Sequence, residues 1–269
     1  MNDWLNLEDK VVIVTGGASG IGKACCEEFA ACGAHVVIAD VTEESGKKAA
    51  ASLPGNTLFV KTDVTSKASV DALVAAVVAK YGRLDILVNN AGINIPRLLV
   101  DPAGKEELTE AVWDKVVAIN MKGIFFCAQA AARVMLKQES KGVIINMASE
   151  SGSEGSEGQS VYAATKGATY NMTRSWAKEL GKLGVRVVGV APGILEATGL
   201  RSEEYERALA YTRGQTVEQM RANYSEKSIP LQRSGKLSEV ANTVCFLASE
   251  RGGYIHGTVV NVSGGKSRA

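Results

Sequence analysis

Residues 11–23, VVIVTGGASGIGK, decide the fold. Five β-favouring residues run straight into a glycine-rich turn, and the turn opens a helical pattern over about 20–32. A strand that is apolar along nearly its whole length is covered on both faces, as in a parallel sheet. Glycines let the backbone turn sharply and approach a bound pyrophosphate. The helix N-terminus behind them offers free N–H groups and the positive end of its dipole. The spacing is GxxxGxG, set by Gly16, Gly20 and Gly22 with Ser19 and Ile21 between them, and not GxGxxG. A rival is embedded in the same stretch. Residues 17–23 spell GASGIGK, the GxxxxGK of a nucleoside triphosphatase loop, but the Ser or Thr that must follow to ligate magnesium is replaced by Ala24. A tight turn with no ligand is the remaining alternative.

Working outward, short Val/Ile-rich runs alternate with longer helical patterns. Further strands are predicted at HVVIAD (35–40), TLFVK (57–61), LDILVN (84–89), GVIINMAS (142–149), VRVVGVAP (185–192) and TVVNV (258–262). Helical stretches lie near 43–52, 66–81, 106–137, 160–183 and 237–249. This order implies right-handed βαβ crossovers: an α/β, doubly wound parallel sheet of about seven strands with helices on both faces. No linker divides the chain, so 1–269 reads as a single dinucleotide-binding and catalytic domain. Asp40 ends the second strand, eighteen residues after Gly22. An acid there accepts hydrogen bonds from both adenosine ribose hydroxyls and repels a 2′-phosphate. No Arg or Lys follows it in VTEESG, so NAD is expected over NADP; a helix-capping or turn Asp is the alternative.

Thirty Lys+Arg against 29 Asp+Glu leave a net charge of +1, so no basic excess invites nucleic acid. No apolar run approaches a membrane span, and MNDWLNLEDK lacks the basic and apolar regions of a secretory signal. Five cysteines without CxxC pairing read as reduced thiols in a cytoplasmic protein. With two histidines in all, zinc hydrolysis and His-based triads are poorly supplied, and no metal site is expected.

Two stretches break the rhythm. Residues 150–160, ESGSEGSEGQS, have the composition of a flexible loop. Residues 194–236 hold helical pieces and five of the chain's twelve arginines, where a substrate lid is expected beyond the end of a strand. Between these, Tyr162 has Lys166 four residues on, which puts both on one helix face. An ammonium beside a phenol favours phenolate and lowers its pKa. Ser149 ends the preceding strand, where its hydroxyl can hold a substrate oxygen. Asn120, in VVAINMKG, is a polar amide inside a helical pattern, suited to retaining a water or to kinking the helix.

These motifs, TGGASGIG (15–22), Asp63-Val64, NNAG (89–92), Asn120, Ser149, YAATK (162–166) and PG (192–193), stand in an order that resembles the short-chain dehydrogenases/reductases, over essentially the whole chain. The resemblance implies a Rossmann-type fold, a nicotinamide cofactor and a Ser-Tyr-Lys-Asn tetrad. By it Tyr162 is the acid/base, Lys166 its pKa tuner and ribose ligand, Ser149 the substrate orienter and Asn120 the proton-relay holder. Asp63 and Val64 would contact adenine, Asn90, Ala91 and Gly92 would line the cofactor, and Pro192, Gly193 and Ile194 would flank the nicotinamide. Two departures stand out. Met147-Ala148 precedes Ser149 in place of a serine pair, and Ser263 replaces a frequent Asp.

Four stretches resemble one subgroup within the family: 89–104, 149–166, 174–201 and 208–214. That likeness implies a phosphorylated hexitol substrate, oxidised reversibly at C2 to the phosphorylated ketose. Another polyol, a sugar or a 3-oxoacyl substrate is the alternative, and a non-catalytic cofactor-binding regulator a more distant one. A phosphate needs a cationic clamp, and Arg suits it through its planar fork. Arg201, Arg207 and Arg221 have Glu204, Glu203 and Glu218 at helical spacing, whereas Arg213 and Arg233 have none. Arg213, assisted by Arg97 or Arg201, is therefore the candidate phosphate ligand. Glu150, Glu154 and Glu157 are candidates for polyol hydroxyls. Small residues along 106–137 and 160–183 suit packing between subunits, and the family resemblance implies a homotetramer.

Overall fold

β-Branched side chains crowd one another least on a pleated surface, and the Val/Ile runs all pair there. The computed structural model describes residues 4–55, 57–196, 198, 202–226 and 228–267. In chain order the elements are β1 (Val11–Thr15), α1 (Gly20–Ala31), β2 (His35–Asp40), α2 (Glu43–Ser52), β3 (Leu58–Lys61), α3 (Lys67–Tyr81) and β4 (Ile86–Asn89). There follow α4 (Glu110–Val117), a π-helical turn (Ala118–Lys122), α5 (Gly123–Met135), β5 (Gly142–Met147), α6 (Ser151–Glu154) and α7 (Ser160–Leu180). The chain continues through β6 (Val185–Pro192), α8 (Glu203–Thr212), α9 (Val217–Glu226), α10 (Leu237–Ala248) and β7 (Val259–Val262). The seven strands form one parallel sheet in the order β3-β2-β1-β4-β5-β6-β7.

β1 shows why the sheet needs helices on both faces. All five of its residues are buried. Val12 and Val14 face one layer with Cys25, Cys26 and Phe29 of α1 and Val240 and Val244 of α10. Val11 and Ile13 face the other with Val70, Leu73 and Val77 of α3 and Ala131 and Met135 of α5. Strand order reverses between β1 and β4, which opens a crevice at their carboxyl ends. The glycine turn after β1 and the Asn90–Gly92 loop after β4 meet in it.

The structure departs from the sequence expectations in places that have local causes. β4 begins at Ile86, not residue 84, because Asp85 pairs with β1 partly through its side chain: its carboxylate accepts the Val11 N–H at 2.9 Å. The helix expected over 106–137 starts at Glu110 and widens into the π turn at Ala118–Lys122. Residues 150–160 are not a loose loop. Gly152 packs against α7, where a Cβ would lie 2.6 Å from the Lys166 carbonyl carbon. Gly158 has φ +73° and abuts Thr212, where a Cβ would lie 2.1 Å from the hydroxyl. Both glycines serve close approach. No helix among the described residues is long and apolar enough to cross a membrane.

Candidate active site

The glycine turn is built for proximity. Gly16 and Gly20 adopt left-handed φ of +64° and +54°. A Cβ at Gly22 would stand 2.2 Å from the Gly16 carbonyl, so no other residue fits that position without moving the turn. α1 has no acidic residue in its first turn, and its N-cap Ser19 makes no side-chain cap bond. The terminus therefore stays open to an anion. The turn is latched to the next loop. Thr15 Oγ1 accepts the N–H groups of Asn90 and Ala91, both at 3.0 Å, and the Asn90 amide donates to the carbonyls of Thr15 and Gly16.

Two adjoining cavities run along this crevice. One, of about 600 Å³, is lined by Gly16, Ser19, Gly20, Asp40, Asp63, Val64 and Ala91 among others. The second, of about 420 Å³, is lined by Ser149, Tyr162, Lys166, Pro192, Gly193 and Ile194 among others. Ile21, Asn90, Gly92 and Thr198 line both. A continuous trough of this kind, with glycine backbone at its middle, fits an extended dinucleotide. Asp40 lies beside the turn, with one oxygen accepting the Ala18 N–H at 3.1 Å and the other the Thr42 N–H at 3.0 Å. Asp63 accepts both the N–H and the hydroxyl of Thr65.

The four tetrad candidates come together at the ends of β5 and α4 and in the first turns of α7. Ser149 is buried and hydrogen-bonded with Tyr162. The Lys166 ammonium lies 5.7 Å from the Tyr162 ring centroid and donates to the Met147 carbonyl at 2.6 Å. The balance of effects on the phenol differs from the sequence expectation. Burial raises the Tyr162 pKa above its ordinary value, the Ser149 hydrogen bond lowers it, and the nearby Glu150 carboxylate raises it. Burial also brings Lys166 down to about 8. Desolvation dominates both groups because neither has an opposite charge in contact.

Asn120 is fully buried at the π turn. Its oxygen accepts the Ile93 N–H at 2.9 Å, and its NH2 donates to the Ile93 carbonyl at 2.9 Å and to Thr165 Oγ1 at 3.2 Å. The side chain is thus engaged with protein and splints the loop after β4 to α7. π turns occur frequently at functional sites.

Among the arginines, Arg213 caps α8 at the rim of the second cavity and donates to Ser156 at 3.2 Å. Arg97 does not reach it: its guanidinium pairs with Glu106 at 2.6 Å and donates to the Pro96 carbonyl. Arg201 lies outside the described residues. Arg207 pairs with Glu203 at helical spacing, as expected. Arg221 pairs with Glu206 across two helices in preference to Glu218. Arg233 has a partner after all, Glu239 in the first turn of α10. Glu150 and Glu154 line the second cavity.

Sequence reading missed Gln159, Tyr205 and Lys266, all of which line the second cavity. Tyr205 of α8 accepts Gln159 Nε2 at 2.7 Å and holds α8 over the cavity. Lys266, beyond β7, donates to Glu150 Oε1 at 2.7 Å. The available signal was position: residues past the carboxyl end of any strand of such a sheet face the crevice.

A doubly wound sheet with a dinucleotide trough and a Ser-Tyr-Lys group at its mouth defines a nicotinamide-dependent oxidoreductase. The profile described as short chain dehydrogenase matches residues 10–208, and the chain belongs to that family, whose members use NAD(P). It is 56% identical over 275 residues to sorbitol-6-phosphate 2-dehydrogenase of Klebsiella pneumoniae, the match covering 100% of each chain. It is 40% identical to the 3-oxoacyl-[acyl-carrier-protein] reductase of Thermotoga maritima, over 97% of this chain and 99% of the relative. The crystal structure of 3-ketoacyl-(acyl-carrier-protein) reductase from Brucella melitensis complexed with NADH superposes with a TM-score of 0.82 at 31% identity, covering 98% and 100% of the two chains.

Proposed function

We propose that the protein is a sorbitol-6-phosphate 2-dehydrogenase that interconverts sorbitol 6-phosphate and fructose 6-phosphate with NAD. The observation that carries the reading is the end-to-end 56% identity with an enzyme of that name. The cavity supports it: Arg213 stands at its rim and the Tyr162–Ser149 pair at its base, so one elongated substrate can meet both.

In this mechanism the C2 hydroxyl lies against Ser149 and Tyr162. Tyr162 as phenolate takes the hydroxyl proton, and in the reverse direction as phenol it returns one to the carbonyl oxygen. Bound NAD supplies the hydride acceptor at its nicotinamide. Lys166, with a pKa near 8, passes the proton from the phenol side toward solvent. Asn120 keeps Ile93 and Thr165 in register around this path. Gly16, Ser19, Gly20, Ile21 and Gly22 would hold the pyrophosphate, Asp40 the adenosine ribose, Asp63 and Val64 the adenine, and Asn90–Gly92 with Pro192–Ile194 the nicotinamide half. Asp40, with no basic neighbour following it, favours NAD. The segment 194–236 acts as a substrate lid through α8 and α9. The protein assembles as a homotetramer in the cytoplasm, with Trp113 and Phe125, both more than 40% exposed, covered by neighbouring subunits.

The test is a cofactor-reduction assay crossing NAD and NADP with sorbitol 6-phosphate and free sorbitol. Reduction of NAD by the phosphate far faster than by free sorbitol is expected. Turnover of another alcohol but not of this phosphate would discard the substrate.

A further inference from the structure

Glu150 is buried, 8% exposed, immediately after Ser149, and it lines the substrate cavity. A carboxylate only accepts hydrogen bonds, and it has two oxygens to satisfy. Oε1 is taken by Lys266 at 2.7 Å. Oε2 is buried with no hydrogen-bond partner. Buried acceptors without donors are rare, and an orphan in a binding cavity marks a place where a ligand supplies the donor. Gly193 packs beside that oxygen, where a Cβ would stand 3.0 Å from Oε2, so a side chain there would crowd it. Lys266 comes from the segment after β7, so the C-terminal end of the chain anchors this carboxylate across the mouth of the site. The cavity is therefore polarised, with the held acid next to Ser149 and the Arg213 guanidinium on Ser156 beyond α6.

We propose that Glu150, clamped by Lys266, is a specificity residue that accepts a hydrogen bond from a substrate hydroxyl on the carbon next to the reacting one. The site then selects vicinal diols over simple secondary alcohols. A site that holds a hydroxyl on a buried acceptor rejects the analogue lacking it, because the acceptor is left unpaired. The proposal rests on the alcohol-oxidising reading above, and it requires only a neighbouring hydroxyl, not the phosphate.

Initial rates at saturating NAD with 2,3-butanediol, 2-butanol and sorbitol 6-phosphate test it. In Glu150→Ala the ratio of kcat/KM for the diol to that for the mono-ol falls by about 10- to 100-fold. NADH binding by fluorescence titration stays unchanged. Glu150→Gln, which keeps the volume and a polar contact, shows an intermediate loss. Lys266→Met lowers the same ratio and adds little in the double variant. Equal losses on diol and mono-ol, an unchanged ratio, or loss of NADH binding would overturn the proposal. If sorbitol 6-phosphate is not turned over while the diol ratio still falls, the substrate assignment fails and the Glu150 subsite is upheld.

Discussion

At the residue scale, the proposed chemistry turns on a phenol and an ammonium that burial pushes in opposite directions, Tyr162 up and Lys166 down to about 8. A raised phenol gives up its proton only at higher pH. Alcohol oxidation, which needs phenolate, should therefore keep rising to pH 10 and beyond, and ketone reduction, which needs phenol, should hold throughout the range below. Tyr162→Phe should cost about a hundredfold or more in kcat in both directions. NADH titration of that variant should give near wild-type affinity; lost affinity would make the residue a cofactor ligand first. Tyr162, Lys166 and Ser149 were legible because strand end, loop and helix start fall at fixed offsets. Arg233 and Lys266 were not, because their partners Glu239 and Glu150 lie in other elements and only folding brings them near.

At the element scale, the strands were legible because nearly continuous Val/Ile runs have few other homes than a sheet covered on both faces. The π turn was not. One added residue in a turn leaves the apolar pattern of 106–137 almost intact, and only the buried amide of Asn120 betrays it. The widened turn delivers that amide to the Ile93 N–H and carbonyl together. Asn120→Ala strands both backbone groups in the interior, at about 1–3 kcal/mol for each. Thermal unfolding should show the loss, with NADH affinity falling as the loop after β4 loosens. A variant with wild-type melting and affinity would mean the splint is dispensable. Gly158 belongs to this scale too: sequence composition suggested slack, whereas its left-handed φ and its contact with Thr212 seat α8 over the cavity.

For the whole molecule, the buried ammonium of Lys166 sets stability against its proposed role in turnover. Its pKa falls from 10.5 to about 8 on folding. Below pH 8 both states carry the charge, and the folded state bears the full cost of burying it, on the order of 3 kcal/mol. Between pH 8 and 10.5 the unfolded chain holds the proton and the folded chain does not, so this contribution to stability rises with pH. Above 10.5 the cost is gone. Lys166→Met removes the charge and one hydrogen bond to the Met147 carbonyl, the latter contributing about 1 kcal/mol. The variant should thus unfold at a higher temperature than wild type at pH 7 and lose that advantage as pH approaches 10, while its turnover is nearly abolished. Melting curves of both proteins across pH 7–10 read this directly. A variant less stable at pH 7 would show that the ammonium holds the sheet end together more than its burial strains it, and that the molecule sacrifices no stability for this part of its site.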